Sequence, residues 1–267
     1  MRLSEFERAR YARQLVLPEV GEKGQEKLKR SRVLVIGAGG LGSPVLYYLA
    51  AAGVGKLGIV EMDRVEPSNL NRQILYTEAD VGRPKAEAAR ERLLALNPHI
   101  EVVAYPERFT ARLAERIVPE YDLLVDSSDN FPTRFLTNDA AVLFDRPLVH
   151  GSIYRFEGQI SLFHYQGGPC YRCLYKKPPS RPAGGEAGVL GALPGVVGAW
   201  MAMEALKALL GIGEPLSGRL LFYDALTAET RRFAFPRDPA CPVCGENPSI
   251  TELRDDRYQD ECQGGGA

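Results

Sequence analysis

Two constellations in this chain have residue types and spacings that could do chemistry. The first is Gly37-Ala-Gly39-Gly40-Leu-Gly42, set between an apolar run and a helical stretch. Glycines there let the backbone approach a phosphate, and a helix N-terminus stabilises negative charge. Glu61 stands 24 residues after Gly37 at the end of the next apolar run, with Asp63 two residues beyond. A carboxylate in that place can accept hydrogen bonds from ribose hydroxyls. The second constellation is Cys170-Tyr-Arg-Cys173 and Cys241-Pro-Val-Cys244, separated by 67 residues. Four thiolates in two Cys-x-x-Cys units match a closed, tetrahedral Zn²⁺ site of structural type, with redox pairs as the alternative.

The glycine turn points to a nucleotide without naming it, because an NAD(P)-dependent oxidoreductase would carry the same residues. Four further clusters point away from hydride transfer. They are Arg10-Tyr-Ala-Arg13-Gln, Ser68-Asn-Leu-Asn71-Arg72-Gln73, Val81-Gly-Arg-Pro-Lys85 and Ser127-Ser-Asp129-Asn130. Together they place Arg72 and Lys85 near a polyphosphate and Asp129 as a hard oxygen ligand for Mg²⁺. Each has a bland reading as well: a solvated Arg or Lys, and for Asp129 the cap of the helix that follows.

The elements that must position these groups are legible in outline. Residues 4 to 30 read as helical, with a turn at Gly21 and Gly24. Short apolar runs at 32–36, 56–60, 100–105, 121–126 and 148–153 alternate with helical stretches at 41–52, 83–96, 110–118 and 134–144. That alternation predicts a parallel, doubly wound α/β sheet covered on both faces. After Gly151 the texture changes. Residues 158–165, 220–223 and 230–235 read as antiparallel strands, and 194–210 as one long buried helix. Residues 176–191, rich in Pro, Gly and charge, read as a long mobile loop. The expected organisation is one domain over 1–254, with a nucleotide half near 30–150, a zinc-stapled half near 151–254 and a disordered tail over 255–267.

These motifs resemble those of the ThiF/MoeB/HesA adenylyltransferases, relatives of the enzymes that activate ubiquitin-like proteins. The resemblance runs from about Arg10 to Gly245 and rests on five separated motifs in the family's order. It implies a Rossmann-like fold and ATP-dependent adenylylation of the C-terminal Gly-Gly carboxylate of a ubiquitin-like sulfur-carrier protein. It further implies that Gly39, Gly40 and Gly42 line the nucleotide. Glu61 takes the place of the ribose-binding acid, usually Asp, with Asp63 also on the pattern. Asn71, Arg72 and Lys85 approach the phosphates, while Asp129, beside Asn130, is the Mg²⁺-linked acid. Arg13 matches the arginine that reaches into a neighbouring subunit's site, which implies a homodimer. Many relatives carry a cysteine before the Glu186-Ala187-Gly188-Val189 segment, where this chain has Gly184-Gly185. A covalent thioester there is not expected, and sulfur is expected from a separate sulfurtransferase or cysteine desulfurase. A non-catalytic scaffold, the second alternative, should lack some of the phosphate cations retained here.

Bulk composition is consistent with that picture. The 267 residues are 45% apolar and 25% charged, the balance of an ordinary soluble domain, and the net charge of −1 offers no field for nucleic acid or an anionic membrane. The charged start has no secretory run, so a cytoplasmic, reducing setting is expected. Cys262 reads as a bystander thiol, His99 as a surface residue and His150 as a strand-end residue without a catalytic role. Arg155 reads either as a contact for the carrier's tail or as a solvated hairpin charge.

Overall fold

The computed structural model describes residues 2–176 and 188–258. Helices α1 (Glu5–Arg10), α2 (Ala12–Leu15) and α3 (Gly21–Arg30) come first. The break lies before Gly21, not at Gly24, because Pro18 disfavours helix in the residue before it and Gly21 has a positive φ of 55°. Next come β1 (Arg32–Ile36), α4 (Gly42–Ala52), β2 (Lys56–Val60), α5 (Lys85–Leu96), β3 (Glu101–Tyr105), α6 (Ala111–Ile117), β4 (Leu123–Asp126) and α7 (Phe131–Leu143). The remainder supplies β5 (Leu148–Tyr154), β6 (Glu157–Phe163), the short α8 (Tyr171–Leu174), α9 (Ala192–Leu210), β7 (Arg219–Asp224) and β8 (Glu229–Ala234).

All eight strands form one sheet in the order β3-β2-β1-β4-β5-β6-β7-β8. The pairs from β3 to β5 are parallel, and those from β5 to β8 antiparallel. The change of texture after Gly151 is this change of strand direction. Alternate residues of the central strands feed opposite faces, as the pleat requires. Val33 and Val35 pack with α3, α4, α5 and α9, while Leu34 and Ile36 pack with α6 and α7. Helix α9 is long and apolar enough to cross a membrane. Here Leu193, Val197, Met201, Ala205 and Leu209 bury its inner face against the sheet and α4, although Met203 beside Trp200 is exposed.

The expected tail does not begin at Asp255. Residues Asp255–Tyr258 form a 3₁₀ turn with Tyr258 buried. The Asp255 carboxylate accepts from the Ala111 N–H at the start of α6 (2.7 Å), and the Tyr258 hydroxyl donates to Asp139 (2.8 Å). Composition hid this, since one capping acid and one aromatic anchor suffice to dock a polar segment. Most of the expected loop over 176–191, the tail beyond Tyr258 and Cys262 lie outside the described residues.

Strand order reverses between β1 and β4, so the loops leaving these two strands diverge and open a crevice at the carboxyl edge of the sheet. The glycine turn leaves β1, and Ser127–Asn130 leaves β4. A Cβ on Gly42 would land on the Gly37 carbonyl oxygen, whereas one on Gly39 would meet only the Gln73 amide at 3.6 Å. Gly42→Ala should therefore cost about 1–3 kcal/mol of stability, while Gly39→Ala should stay within about 1 kcal/mol of the parent. Thermal unfolding of the two variants checks this contrast, and equal stabilities would refute it.

Candidate functional site

The crevice is a cavity of about 490 Å³, lined by the glycine turn, the ends of β2 and β4, the 71–73 and 107–109 segments, the β5–β6 hairpin and Gly188–Val189. That size suits a small-molecule ligand. Its walls are fixed by hydrogen bonds that converge on the glycine turn. The Ser127 hydroxyl donates to the carbonyls of Ile36 (2.9 Å) and Gly37 (2.7 Å). The Ala38 N–H donates to Glu61 Oε2 (3.0 Å), and the buried Tyr76 hydroxyl donates to the Ala38 carbonyl (2.9 Å). Burial raises the Tyr76 phenol above its ordinary range and keeps it a neutral donor.

Of the residues singled out in the sequence, Gly39, Gly40, Glu61, Asp63, Asn71, Arg72, Asp129 and Asn130 line the cavity. Gly42 does not; it faces the Gly37 carbonyl and the Ser127 hydroxyl, so its role is close packing of the turn. Lys85 is also absent from the wall. It is buried, with Nζ 3.3 Å from Asp63 Oδ2, and its backbone N–H donates to the Asp63 carbonyl at 2.9 Å. Asp63, which lines the cavity, is thus paired with the Lys85 ammonium, which does not. Arg13 lies exposed on α2, away from its own chain's cavity. Arg72 is tethered through Nη1 to the Ser68 carbonyl (2.8 Å) and Asn71 Oδ1 (3.1 Å).

Asp129 is not the cap of the following helix. Helix α7 starts at Phe131, and Asn130 Oδ1 accepts from the Thr133 N–H (3.0 Å), leaving the Asp129 carboxylate, among the described residues, only a long contact to the Asn130 amide (3.4 Å). The exposed Asp129 oxygens are therefore available to a hard cation. The loop beneath is rigid. Asp126 accepts from the Ser128 N–H (3.0 Å) and hydroxyl (2.6 Å), and His150 Nδ1 lies 2.7 Å from its other oxygen. Burial alone would raise the Asp126 carboxyl, but the His150, Arg134 and Ser128 contacts hold it below its ordinary value. Burial pushes His150 down, against the opposing pull of the Asp126 carboxylate. This pair was missed because the residues are 24 positions apart and meet only through the β4–β5 register, Asp126 opposite His150.

Arg108, Arg134 and Arg155 also line the cavity. Arg155 sits at the β5–β6 hairpin with a positive φ of 54°, its guanidinium over the Tyr154 ring. It is exposed at the hairpin turn and also borders the cavity, so both readings of this residue stand. Nothing in local spacing marked Arg108 or Arg134.

The four knuckle cysteines form a second centre. Sulfur separations are 3.9 Å for Cys170–Cys173, 3.6 Å for Cys170–Cys241 and 3.4 Å for Cys173–Cys244, and all four lie within 4.8 Å of one another. A tetrahedral ion with metal–sulfur bonds of about 2.3 Å requires sulfurs about 3.8 Å apart. The observed set could hold a metal ion. Four thiolates this close repel one another unless a cation joins them. The Asp238 N–H points at Cys173 Sγ (3.4 Å), the kind of outer contact that orients a thiolate ligand.

Residues 11–243 match the model of the ThiF family. The sulfur carrier protein adenylyltransferase of Thermus thermophilus is 59% identical over 263 residues, spanning 96% of this chain and 97% of that one. The adenylyltransferase and sulfurtransferase MOCS3 of Aedes aegypti is 47% identical over 98% of this chain, which spans 60% of that longer protein. Among solved structures, Escherichia coli MccB with ATP superposes with a TM-score of 0.74 at 26% identity, covering 83% of this chain and 68% of that one. MccB with MccA-N7isoASN gives 0.79 at 25% identity, covering 89% and 75%.

Proposed function

Because the chain belongs to the ThiF family, we propose that it adenylylates the C-terminal carboxylate of a ubiquitin-like sulfur-carrier protein ending in Gly-Gly. The observation that carries this reading is the convergence, in one cavity at the strand-order reversal, of a glycine turn, a ribose-type acid, arginines and an uncommitted aspartate. The Thermus relative, matched along nearly its whole length, bears the same activity in its name.

In this mechanism the carrier's carboxylate is ionised at neutral pH and needs no base. Its oxygen attacks the α-phosphorus of ATP, the bond to the bridging oxygen breaks, and pyrophosphate leaves with the electron pair. An acyl-adenylate remains. The enzyme supplies position and charge: Glu61 meets the ribose, the glycine turn and Arg72 the phosphates, and Arg155 the mouth through which a peptide tail would enter. Lys85 acts through Asp63 unless the nucleotide draws its ammonium away. Asp129 would hold Mg²⁺, which supplies charge neutralisation on the phosphates. No cysteine is needed for adenylation, so a separate sulfurtransferase or cysteine desulfurase would deliver sulfur to the adenylate afterwards. The knuckle site is read as structural Zn²⁺, because four thiolates leave no open coordination position. We place the enzyme in the cytoplasm.

A homodimer belongs to the same reading. Arg13 is remote from its own cavity and stands on a helix followed by exposed Val16 and Leu17, 72% and 49% accessible. An arginine beside uncovered apolar side chains suits a subunit contact that completes the partner's site.

Pyrophosphate exchange into ATP should require both Mg²⁺ and a carrier with its terminal glycine. Exchange that survives deletion of that glycine would remove the proposed substrate. Asp129→Ala and Arg72→Ala should each lower adenylation about 10²-fold or more with little change in thermal stability. Near-normal rates at saturating Mg²⁺ and ATP would cancel the role of the residue concerned. For the dimer, Arg13→Ala and Asp129→Ala chains should each be inactive alone, yet regain exchange when mixed and allowed to swap subunits. One site of the mixed dimer then holds both intact residues. Lack of recovery in demonstrably mixed dimers, or a monomer in solution, counts against the shared site. Elemental analysis of protein purified without chelator should find one zinc per chain, and Cys241→Ser should lose it together with stability of the C-terminal half. Metal-free protein of unchanged stability would rule out the structural zinc.

A further inference from the structure

We infer that Gln14 is a positioning residue for Arg13, pinning the one-turn helix α2 so that the arginine is presented to the partner subunit's cavity. This rests on the shared-site reading above and goes beyond it by naming what sets the arginine's place.

Helix α2 is only four residues long and has no side-chain cap at its start. A single turn carries the full cost of helix nucleation and does not hold its shape alone in water. Its outer side is uncovered, with Ala12, Arg13, Val16 and Leu17 all exposed. What fixes it lies on the inner side. The Gln14 amide donates from Nε2 to Gln25 Oε1 (2.6 Å) and to the Ala52 carbonyl (3.1 Å). Just before the helix, the buried Tyr11 hydroxyl accepts from Asn97 Nδ2 (2.9 Å). The Tyr11 ring lies against Gly53, where a Cβ would stand 2.5 Å from its Cζ. Both anchors therefore end at the C-terminus of α4.

Capping of α4 does not require Gln14. The fully buried Gln25 already donates from Nε2 to the Ala52 carbonyl (2.8 Å), and Asn97 Nδ2 donates to the Ala50 carbonyl (2.7 Å). What the Gln14 amide adds is a link from α3 and α4 to α2. Tyr11 holds the entry to the turn, and Gln14 supplies a second point of attachment, one residue from Arg13. Successive side chains on a helix diverge by about 100°, so drawing Gln14 inward turns Arg13 outward. An arginine that must meet a group in another subunit depends on such a fixed base, since a misplacement of about 1 Å can cost about 10²-fold in rate.

The test uses mixed dimers of the full chain. Gln14→Met keeps the side-chain length and removes the donor. Two arrangements contain the same three substitutions. In the first, a Gln14→Met/Asp129→Ala chain pairs with an Arg13→Ala chain, so the live cavity receives its arginine from the chain without Gln14. In the second, a Gln14→Met/Arg13→Ala chain pairs with an Asp129→Ala chain, so the arginine comes from a chain with Gln14 intact. Pyrophosphate exchange with ATP, Mg²⁺ and a carrier ending in Gly-Gly is compared with that of the simple Arg13→Ala and Asp129→Ala pair. The second arrangement should match this reference pair, and the first should run about tenfold or more slower. A residue serving only the fold would affect both arrangements alike, so equal rates, high or low, overturn the assignment, as does a defect confined to the second. A reference pair without exchange in demonstrably mixed dimers overturns the shared site itself, an outcome distinct from any effect of Gln14. Should Gln14→Met chains fail to fold, Gln14→Asn, whose amide is one methylene shorter, replaces them in both arrangements. Failure of both substitutions to fold makes Gln14 a residue of the fold and overturns the assignment.

Discussion

The close approach of Gly42 to the Gly37 carbonyl is the constraint on which the rest of the site depends. Only a residue without a Cβ lets α4 begin that near the end of β1, and only then does the helix N-terminus face the crevice. Partners around the turn are arranged to hold this geometry. Ser127 from the β4 loop takes two carbonyls, Glu61 from β2 takes the Ala38 N–H, and Tyr76 takes the Ala38 carbonyl. Three separate loops are thereby referred to one backbone turn. A shift in any of them would move the cavity wall and the Glu61 carboxylate together.

Helix α7 carries this order across the molecule. Its first turn, capped by Asn130, borders the cavity, and its last residues pack against the cysteine cluster through Val142 and Leu143. Midway, the fully buried Asp139 accepts from Arg172 Nε (2.7 Å) and Nη2 (2.8 Å) and from Tyr258 (2.8 Å). Arg172 lies between the first two knuckle cysteines, so the metal-type centre is tied to the helix by a buried bidentate pair. Removing one partner would strand an uncompensated charge in the interior, which is far costlier than the pair itself is stabilising. The C-terminal half is therefore linked through α7 to the loop that presents Asp129, and it also supplies the β5–β6 hairpin and Gly188–Val189 to the cavity wall.

What could be read from the sequence follows from how local the determinants are. The central strands were legible to within a residue or two because short apolar runs between glycines and polar turns have few other solutions. The glycine turn and Asp129 were legible because their chemistry is written in adjacent positions. Lys85 was expected beside the polyphosphate, whereas its ammonium is paired with Asp63 outside the cavity wall, an arrangement that depends on side chains from two loops. Asp126–His150 and Asp139–Arg172 were hidden because their partners are 24 and 33 residues apart and are joined only by sheet register and helix packing. Gln73 was visible in its motif, but its unpaired amide exists only once the fold closes around it.

The polar groups of the cavity divide in a way that bears on catalysis. Those that build the loops are fully engaged: Ser127, Ser128, Asp126, Asn130 and Tyr76 all spend their hydrogen bonds on backbone or on one another. Of those that face the crevice, Glu61 and Arg72 also hold partners around the turn, whereas Asp129 has only a long contact and Gln73 Oε1 none among the described residues. Charge stabilisation is effective when the donors are already in place and need not leave stronger partners to reach the ligand. A rigid frame with uncommitted side chains at its rim meets that condition. Lys85 stands outside the cavity wall, with its ammonium already paired with Asp63.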